Sequence, residues 1–222
     1  TDQVAQNYIA TAKSFKSSFN GIGGAANWVK RPGAAWKSSR TTIYTLGVKR
    51  KASSISYDSV EFKNFTYEVR MKHTINPTTF YSGLIVRGTP TFGKDNNWQN
   101  GYEFLVYPPN LFTVQKRYYG NWITLRKWTS TDTIKLDWNT LKVVVNGSNL
   151  QFFINNNPVW KGRDETFTRG QVGIIMFRGV GVTQIDVDWA KLSVLKGYNP
   201  DGQVEQGQTE YTDRPINLSP LP

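Results

Sequence analysis

The chain has 222 residues, 38% hydrophobic and 14% aromatic, with 27 Lys and Arg against 16 Asp and Glu for a net charge of +11. That apolar content supports one large folded domain and excludes intrinsic disorder, while the aromatic share favours pleated sheet. With no cysteine and one histidine, disulfides, thiolate metal sites, cysteine nucleophiles and the usual zinc-ligand sets are excluded.

The start at Thr1, without a methionine or an apolar leader, points to a mature form or a fragment of a longer protein. Residues 1–14 (TDQVAQNYIATAKS) form an N-terminal extension and the one plausible helix, with Val4, Tyr8 and Ile9 on one face. Residues 17–36 are rich in Gly and Ala and read as a loop or a pair of short irregular strands. Within them, GIGGAA at 21–26 nominally fits a dinucleotide fingerprint but lacks the flanking strand and helix.

From Thr41 onward the chain alternates apolar and polar residues in short segments bounded by Gly, Pro, Asn or Asp. FTYEVRMKH ends on His73, read as a solvated strand end with no Gly-x-Ser-x-Gly elbow to serve. GYEFLVY divides into Tyr102, Phe104 and Val106 on one face and Glu103, Leu105 and Tyr107 on the other. WNTLKVVVNGSNLQFFINNNPVWKG is a hairpin with Leu141, Val143, Val145, Leu150, Phe152 and Ile154 on its buried side. QIDVDWAKL sets Asp186 and Asp188 outward opposite Ile185, Val187 and Trp189.

About a dozen such strands make an all-β, two-sheet antiparallel sandwich over residues 15–196. Residues 197–222 carry Pro200, Pro215, Pro220 and Pro222 with few apolar residues, a linker, a terminus or an arm that orders on a neighbour. The apolar runs, such as Val143–Val145 and Phe152–Ile154, are far short of the roughly 20 residues of a membrane-spanning helix. Basic residues fall in scattered pairs and triplets (Lys30-Arg31, Lys49-Arg50-Lys51, Lys116-Arg117, Arg126-Lys127), without the stripe that nucleic acid asks for. Acidic glycans, anionic headgroups or an acidic subunit suit such a surface.

A sugar-binding sandwich needs aromatic faces for the C–H side of pyranose rings and polar side chains for their hydroxyls. Mid-strand positions supply both in Arg87, Glu103, Tyr107, Lys116, Trp122 and Arg178, the candidate ligand-binding residues. A glycosidase would need a carboxylate pair, for which Glu103 and the Asp186/Asp188 pair are the candidates. Asn64-Phe-Thr, Asn146-Gly-Ser and Asn217-Leu-Ser fit the N-glycosylation pattern.

The succession FKNFTYEVRMKH, SGLIVRG, NGYEFLVY, YYGNWITLRKW, WNTLKVVVNGSNLQFFINNNPVW, RGQVGIIMFRG and VDWAKLSVL resembles bacterial laminin-G-like domains of the concanavalin A-like lectin/glucanase superfamily. The resemblance implies a jelly-roll, a secreted or cell-surface setting, and carbohydrate binding or adhesion. Some relatives bind calcium through Asp-Asp-Phe near the start; here the region reads Lys13-Ser14-Phe15 or Ser17-Ser18-Phe19, so no cofactor is expected and calcium lacks a clear motif. The Glu-x-Asp-x-x-Glu of laminarinase-type enzymes is absent.

Three functions follow: a non-catalytic module with a glycan or polysaccharide as partner; a subunit of an extracellular filament or layer, joined to identical subunits through residues 1–14 and 197–222; and, third, a glycoside hydrolase.

Overall fold

The computed structural model of the chain describes residues 12–20, 24–32, 36–58 and 60–195. The expected N-terminal helix falls on residues that are largely outside this set, and the Pro-rich arm wholly so.

Fifteen strands follow in chain order: β1 Phe15–Ser18, β2 Trp28–Lys30, β3 Trp36–Ser38, β4 Ile43–Thr45, β5 Lys51–Tyr57, β6 Phe65–Ile75, β7 Tyr81–Phe92, β8 Trp98–Tyr107, β9 Leu111–Tyr118, β10 Asn121–Ser130, β11 Asn139–Asn146, β12 Asn149–Ile154, β13 Asn157–Arg163, β14 Gln171–Arg178 and β15 Gln184–Val194. An eight-stranded sheet runs β13-β12-β11-β6-β15-β4-β3 with β1 also on β15, and a seven-stranded sheet runs β10-β9-β8-β7-β14-β5-β2. The result is the all-β antiparallel sandwich the alternation predicts, and no helix lies among the described residues.

Period-two alternation builds the core between the sheets. Phe65, Tyr67, Val69 and Met71 of β6, with Leu141, Val143 and Val145 of β11 and Leu150, Phe152 and Ile154 of β12, face Tyr102, Phe104 and Val106 of β8 and Val172, Ile174 and Met176 of β14. Each large apolar side chain removed from water contributes about 1.5–3 kcal/mol. Turn chemistry fixes the register of the β11–β12–β13 meander. Gly147 at φ 57° closes the first turn, and Asn155 and Asn156 at φ 51° and 66° close the second in the mirror-image geometry that suits strand twist.

Two expectations are corrected. His73 is buried at 6% exposure, because it continues the inward register of Val69 and Met71. Its ring stacks on Phe80 with centroids 4.3 Å apart. In β15 the register shifts between Val187 and Trp189, so Ala190 takes the core position and Trp189 turns to the surface; such a bulge places two residues of one strand against one of the next.

The β7–β8 hairpin departs most from simple alternation. Register shifts between Val86 and Thr89 and between Thr89 and Phe92 bend it back across the outer face of its own sheet. At its tip the Asp95 carbonyl accepts the Ala52 N–H of β5 at 2.8 Å, and Trp98 Nε1 donates to Ser54 Oγ at 3.0 Å. Beneath it Ala52, Ile85, Trp98, Leu105 and Ile175 form a second apolar cluster, with Tyr81, Phe92 and Phe177 packed at its margin. Gly88 permits this closure, since a Cβ there would stand 2.7 Å from the Trp98 ring.

Candidate functional site

The outer face of the seven-stranded sheet gathers three of the six sequence-derived candidates, Glu103, Tyr107 and Trp122. Strand parity sets them there: Glu103 pairs across β8 and β9 with Gln115, and Trp122 pairs across β9 and β10 with Arg117.

Glu103 is 1% exposed, walled in by the β7–β8 hairpin. Its Oε2 accepts a 2.5 Å hydrogen bond from Gln115 Nε2, while Oε1 has no hydrogen-bond partner among the described residues. Burial pushes its carboxyl above the ordinary value; the Gln115 amide, the Arg117 charge and the Asn97 amide work against that rise, and Asp95 adds to it. A carboxyl in this setting holds or accepts a proton near neutral pH more readily than a solvated one does.

Arg117 links the buried and exposed parts of the face. Its Nε donates to the Trp98 carbonyl at 3.1 Å and its Nη2 pairs with Asp95 at 3.2 Å, so it fastens the hairpin tip. The same guanidinium lies over the Trp122 ring at 5.0 Å, an arrangement that orients an aromatic face at the surface. Trp122 is 55% exposed. Farther along the strands the exposed Trp128 ring lies 6.1 Å from Tyr107 and 6.0 Å from Tyr81, and Tyr81 stacks on Phe177 at 5.3 Å. A band with an exposed aromatic near each end, Trp122 and Trp128, therefore runs along β10, with the sealed carboxyl behind it.

The other three candidates do not join this face. Lys116 sits one residue out of phase: its cross-strand partner is the inward Tyr102, and Nζ binds Asp164 at 2.5 Å and Thr166 at 2.6 Å. Tyr102 donates to the same aspartate at 2.6 Å. Burial works to raise the Asp164 carboxyl, but hydrogen bonds from Lys116, Tyr102 and Thr166 outweigh it and hold it at about 2. Arg87 sits at the break in β7 with φ 50° and turns its guanidinium into the end of the sandwich. Arg178 curls onto the carbonyls of Gly181, Leu46 and Gly47, closing the connection between β14 and β15. The six candidates therefore divide between an outer face that the chain partly covers with its own hairpin and positions elsewhere in the sandwich.

Asp186 and Asp188 lie on the other sheet. Asp186 accepts from Gln184 and Asp188 pairs with Arg70 at 2.5 Å, so both have structural partners. His73 donates from Nδ1 to the Pro77 carbonyl at 3.1 Å and takes the Ser82 hydroxyl on Nε2 at 2.6 Å; burial lowers its pKa to about 4. This His–Ser pair is a core bond, since Ser82 is itself buried. Of the N-glycosylation sequences, Asn64 accepts the Gly147 N–H at 2.9 Å and Asn146 is buried, while Asn217 lies outside the described residues. Of the GIGGAA stretch only Gly24–Ala26 is described, in a turn that leads into β2. Among the described residues no group of His, Asp and Glu is arranged to hold a metal, and no helix is long and apolar enough to cross a membrane.

Arg117, Gln115, Asp95, Trp98 and Trp128 escaped the sequence reading. For the first two the signal was present: in FTVQKRY the inward Phe112 and Val114 fix Gln115 and Arg117, not Lys116, on the opposite face.

Comparison with solved structures places the sandwich. The carbohydrate-binding module CBM66 from Bacillus subtilis superposes with a TM-score of 0.58 at 20% identity, covering 73% of this chain and 94% of that one. The Bacillus licheniformis beta-glucanase gives 0.62 at 12% identity over 82% and 99%. A Bacillus subtilis protein of unknown function with a galectin-like fold gives 0.62 at 9% identity over 82% and 96%. At these identities the likeness is one of fold, a concanavalin A-like jelly-roll. Among curated proteins no sequence matches the chain. A family model, that of the 3-keto-alpha-glucoside-1,2-lyase-like domain, matches residues 14–193.

Proposed function

The chain belongs to the 3-keto-alpha-glucoside-1,2-lyase-like domain family, and from that premise we propose a carbohydrate-binding sandwich that holds a saccharide on the outer face of its seven-stranded sheet, along β8 to β10. The observation that carries this reading is Trp122, a large aromatic left 55% exposed yet oriented by a buried arginine. Such a ring meets the C–H face of a pyranose, and Trp128 extends the platform. The likeness of fold to a carbohydrate-binding module and a beta-glucanase supports a saccharide ligand. A secreted or cell-surface setting and a role in adhesion extend the same proposal, since that is where a binding module meets polysaccharide. The laminin-G-like succession of strands describes the same sandwich at a finer level.

Calorimetric titration with a panel of neutral oligosaccharides tests the site. Trp122→Ala is expected to lower affinity at least about tenfold, the equivalent of 1.4 kcal/mol, without altering the unfolding midpoint; unchanged affinity would sink the placement.

A second reading is supported by the family match together with Glu103. A 1,2-lyase acting on a 3-keto-glucoside removes the C2 proton, which the neighbouring ketone acidifies, and the electron pair then forms the C1–C2 double bond as the C1 oxygen leaves with a proton. A carboxyl whose pKa is raised suits proton transfer, though at 1% exposure Glu103 would need the Gly93–Asn97 tip to move aside. Incubation with a 3-keto-alpha-glucoside, followed by enone absorbance, checks it: turnover abolished by Glu103→Gln supports the reading, and no turnover by the wild-type chain removes it.

A further inference from the structure

At one end of the sandwich the entry to β6, the β11–β12 turn and the β13–β14 connection enclose a pocket of about 390 Å3, lined by Lys63, Arg87, Ser148, Arg163, Phe167 and Thr168. Its floor is Arg87, 1% exposed. The guanidinium donates from Nε and Nη2 to the Lys63 carbonyl at 3.1 and 2.5 Å and from Nη1 to the Phe167 carbonyl at 2.7 Å. These carbonyls satisfy N–H groups but bring no formal charge. No carboxylate stands within ion-pair distance of Arg87 among the described residues.

An arginine buried in this way is costly on two counts. Its positive charge has left water without a counter-ion, and its backbone is held at φ 50°, a left-handed conformation that strains a non-glycine residue. Burial lowers its pKa to about 10, which leaves it cationic at neutral pH. Lys63 adds a second charge at the rim and makes no ion pair among the described residues. Arg163 and Glu165 also line the pocket, but they neutralise each other at 2.8 Å on its exposed wall. The cavity thus keeps two uncompensated cations, the hydroxyls of Ser148 and Thr168, and the Phe167 side chain. Hydroxyls and an aromatic suit a sugar ring, whereas the cations ask for an oxyanion.

We propose that this rim pocket is a second binding site, which takes the anionic group of an acidic saccharide, a uronate carboxylate or a sulfate ester, paired with Lys63 at the rim and held over the buried charge of Arg87. The net charge of +11 favours the approach of such a ligand from solution. That the ligand is a saccharide rests on the function proposed above; that it is an anion rests on the pocket alone.

Amide chemical-shift titrations of the full chain with trigalacturonate, a sulfated trisaccharide, neutral maltotriose and inorganic sulfate test the proposal. Trigalacturonate or the sulfated sugar is expected to shift the amides of Gly147, Ser148 and Thr168, and whichever binds more tightly identifies the oxyanion. Lys63→Ala, which leaves the carbonyl held by Arg87 in place, is expected to weaken that binding at least about tenfold, and raising NaCl from about 0.05 to 0.5 M to weaken it further. Trp122→Ala is expected to leave it unchanged. Equal affinity for maltotriose at these amides, or an unchanged affinity in Lys63→Ala, overturns the site. Inorganic sulfate bound as tightly as either acidic sugar overturns the saccharide part and leaves an adventitious ion only. If neutral sugars bind in a Trp122-dependent manner while no acidic sugar reaches the pocket, this inference fails and the outer-face reading stands.

Discussion

The β11–β12 and β7–β8 hairpins are built from the same alternation and end in different roles. In β11–β12 a tight turn at Gly147 fixes the register, every second residue enters the core, and the opposite side chains stay at the surface. In β7–β8 two register shifts lengthen one arm against the other, and the tip folds over the outer face of the sheet from which it grew. Both faces of that sheet are consequently buried near β7 and β14, where Leu84 and Ile85, or Ile174 and Ile175, are neighbours in sequence and equally out of water. A hairpin with regular register makes core, and one with slipped register makes a cover. Where the cover ends, at Arg117, the aromatic band begins.

The difference can be broken first at Trp98. It carries the second cluster and a buried hydrogen bond, so Trp98→Ala is expected to lower the unfolding free energy by about 3–5 kcal/mol, measured by chemical denaturation. A loss as large as that from Phe152→Ala in the main core would make the cover an integral part of the fold; a loss below about 1 kcal/mol would make it a detachable flap.

Titration separates the two faces next. His73, in the core between the sheets, has a folded pKa of about 4 against 6.5 unfolded, so the unfolded chain binds the proton first. Its contribution is full above pH 6.5 and is lost as pH falls through 4, about 3 kcal/mol in all. Glu103 has the opposite sign. With its folded pKa raised, its contribution is full below the ordinary carboxyl value of 4.5 and declines as pH rises. Unfolding free energies followed against pH should therefore lose their acid-side slope in His73→Gln and gain stability at neutral pH in Glu103→Gln; an unchanged profile in either variant contradicts the corresponding burial. The smallest effect belongs to the regular hairpin, where Gly147→Ala meets a positive φ and is expected to cost about 1 kcal/mol.

Most of the fold was legible in the sequence because the inter-sheet core obeys a period of two, and the six residues assigned to the buried side of the β11–β12 hairpin are all buried. What alternation could not carry is register. One slipped residue turned Trp189 outward, another placed Arg87 at the pocket floor, and the bent hairpin sealed Glu103 beneath it. Trp122 was legible as a surface aromatic only in part, because its orientation depends on Arg117, whose side is fixed by counting along β9. The same count sets Lys116, a candidate by its mid-strand position, opposite the inward Tyr102.

The central claim is that a saccharide rests on the outer face of the seven-stranded sheet along β10. Amide shift mapping of the wild-type chain with a neutral oligosaccharide drawn from the calorimetric panel tests it most directly. The account predicts perturbations gathered on Arg117–Trp128 and at Tyr107; perturbations confined to β12 and β13 of the opposite sheet would contradict it.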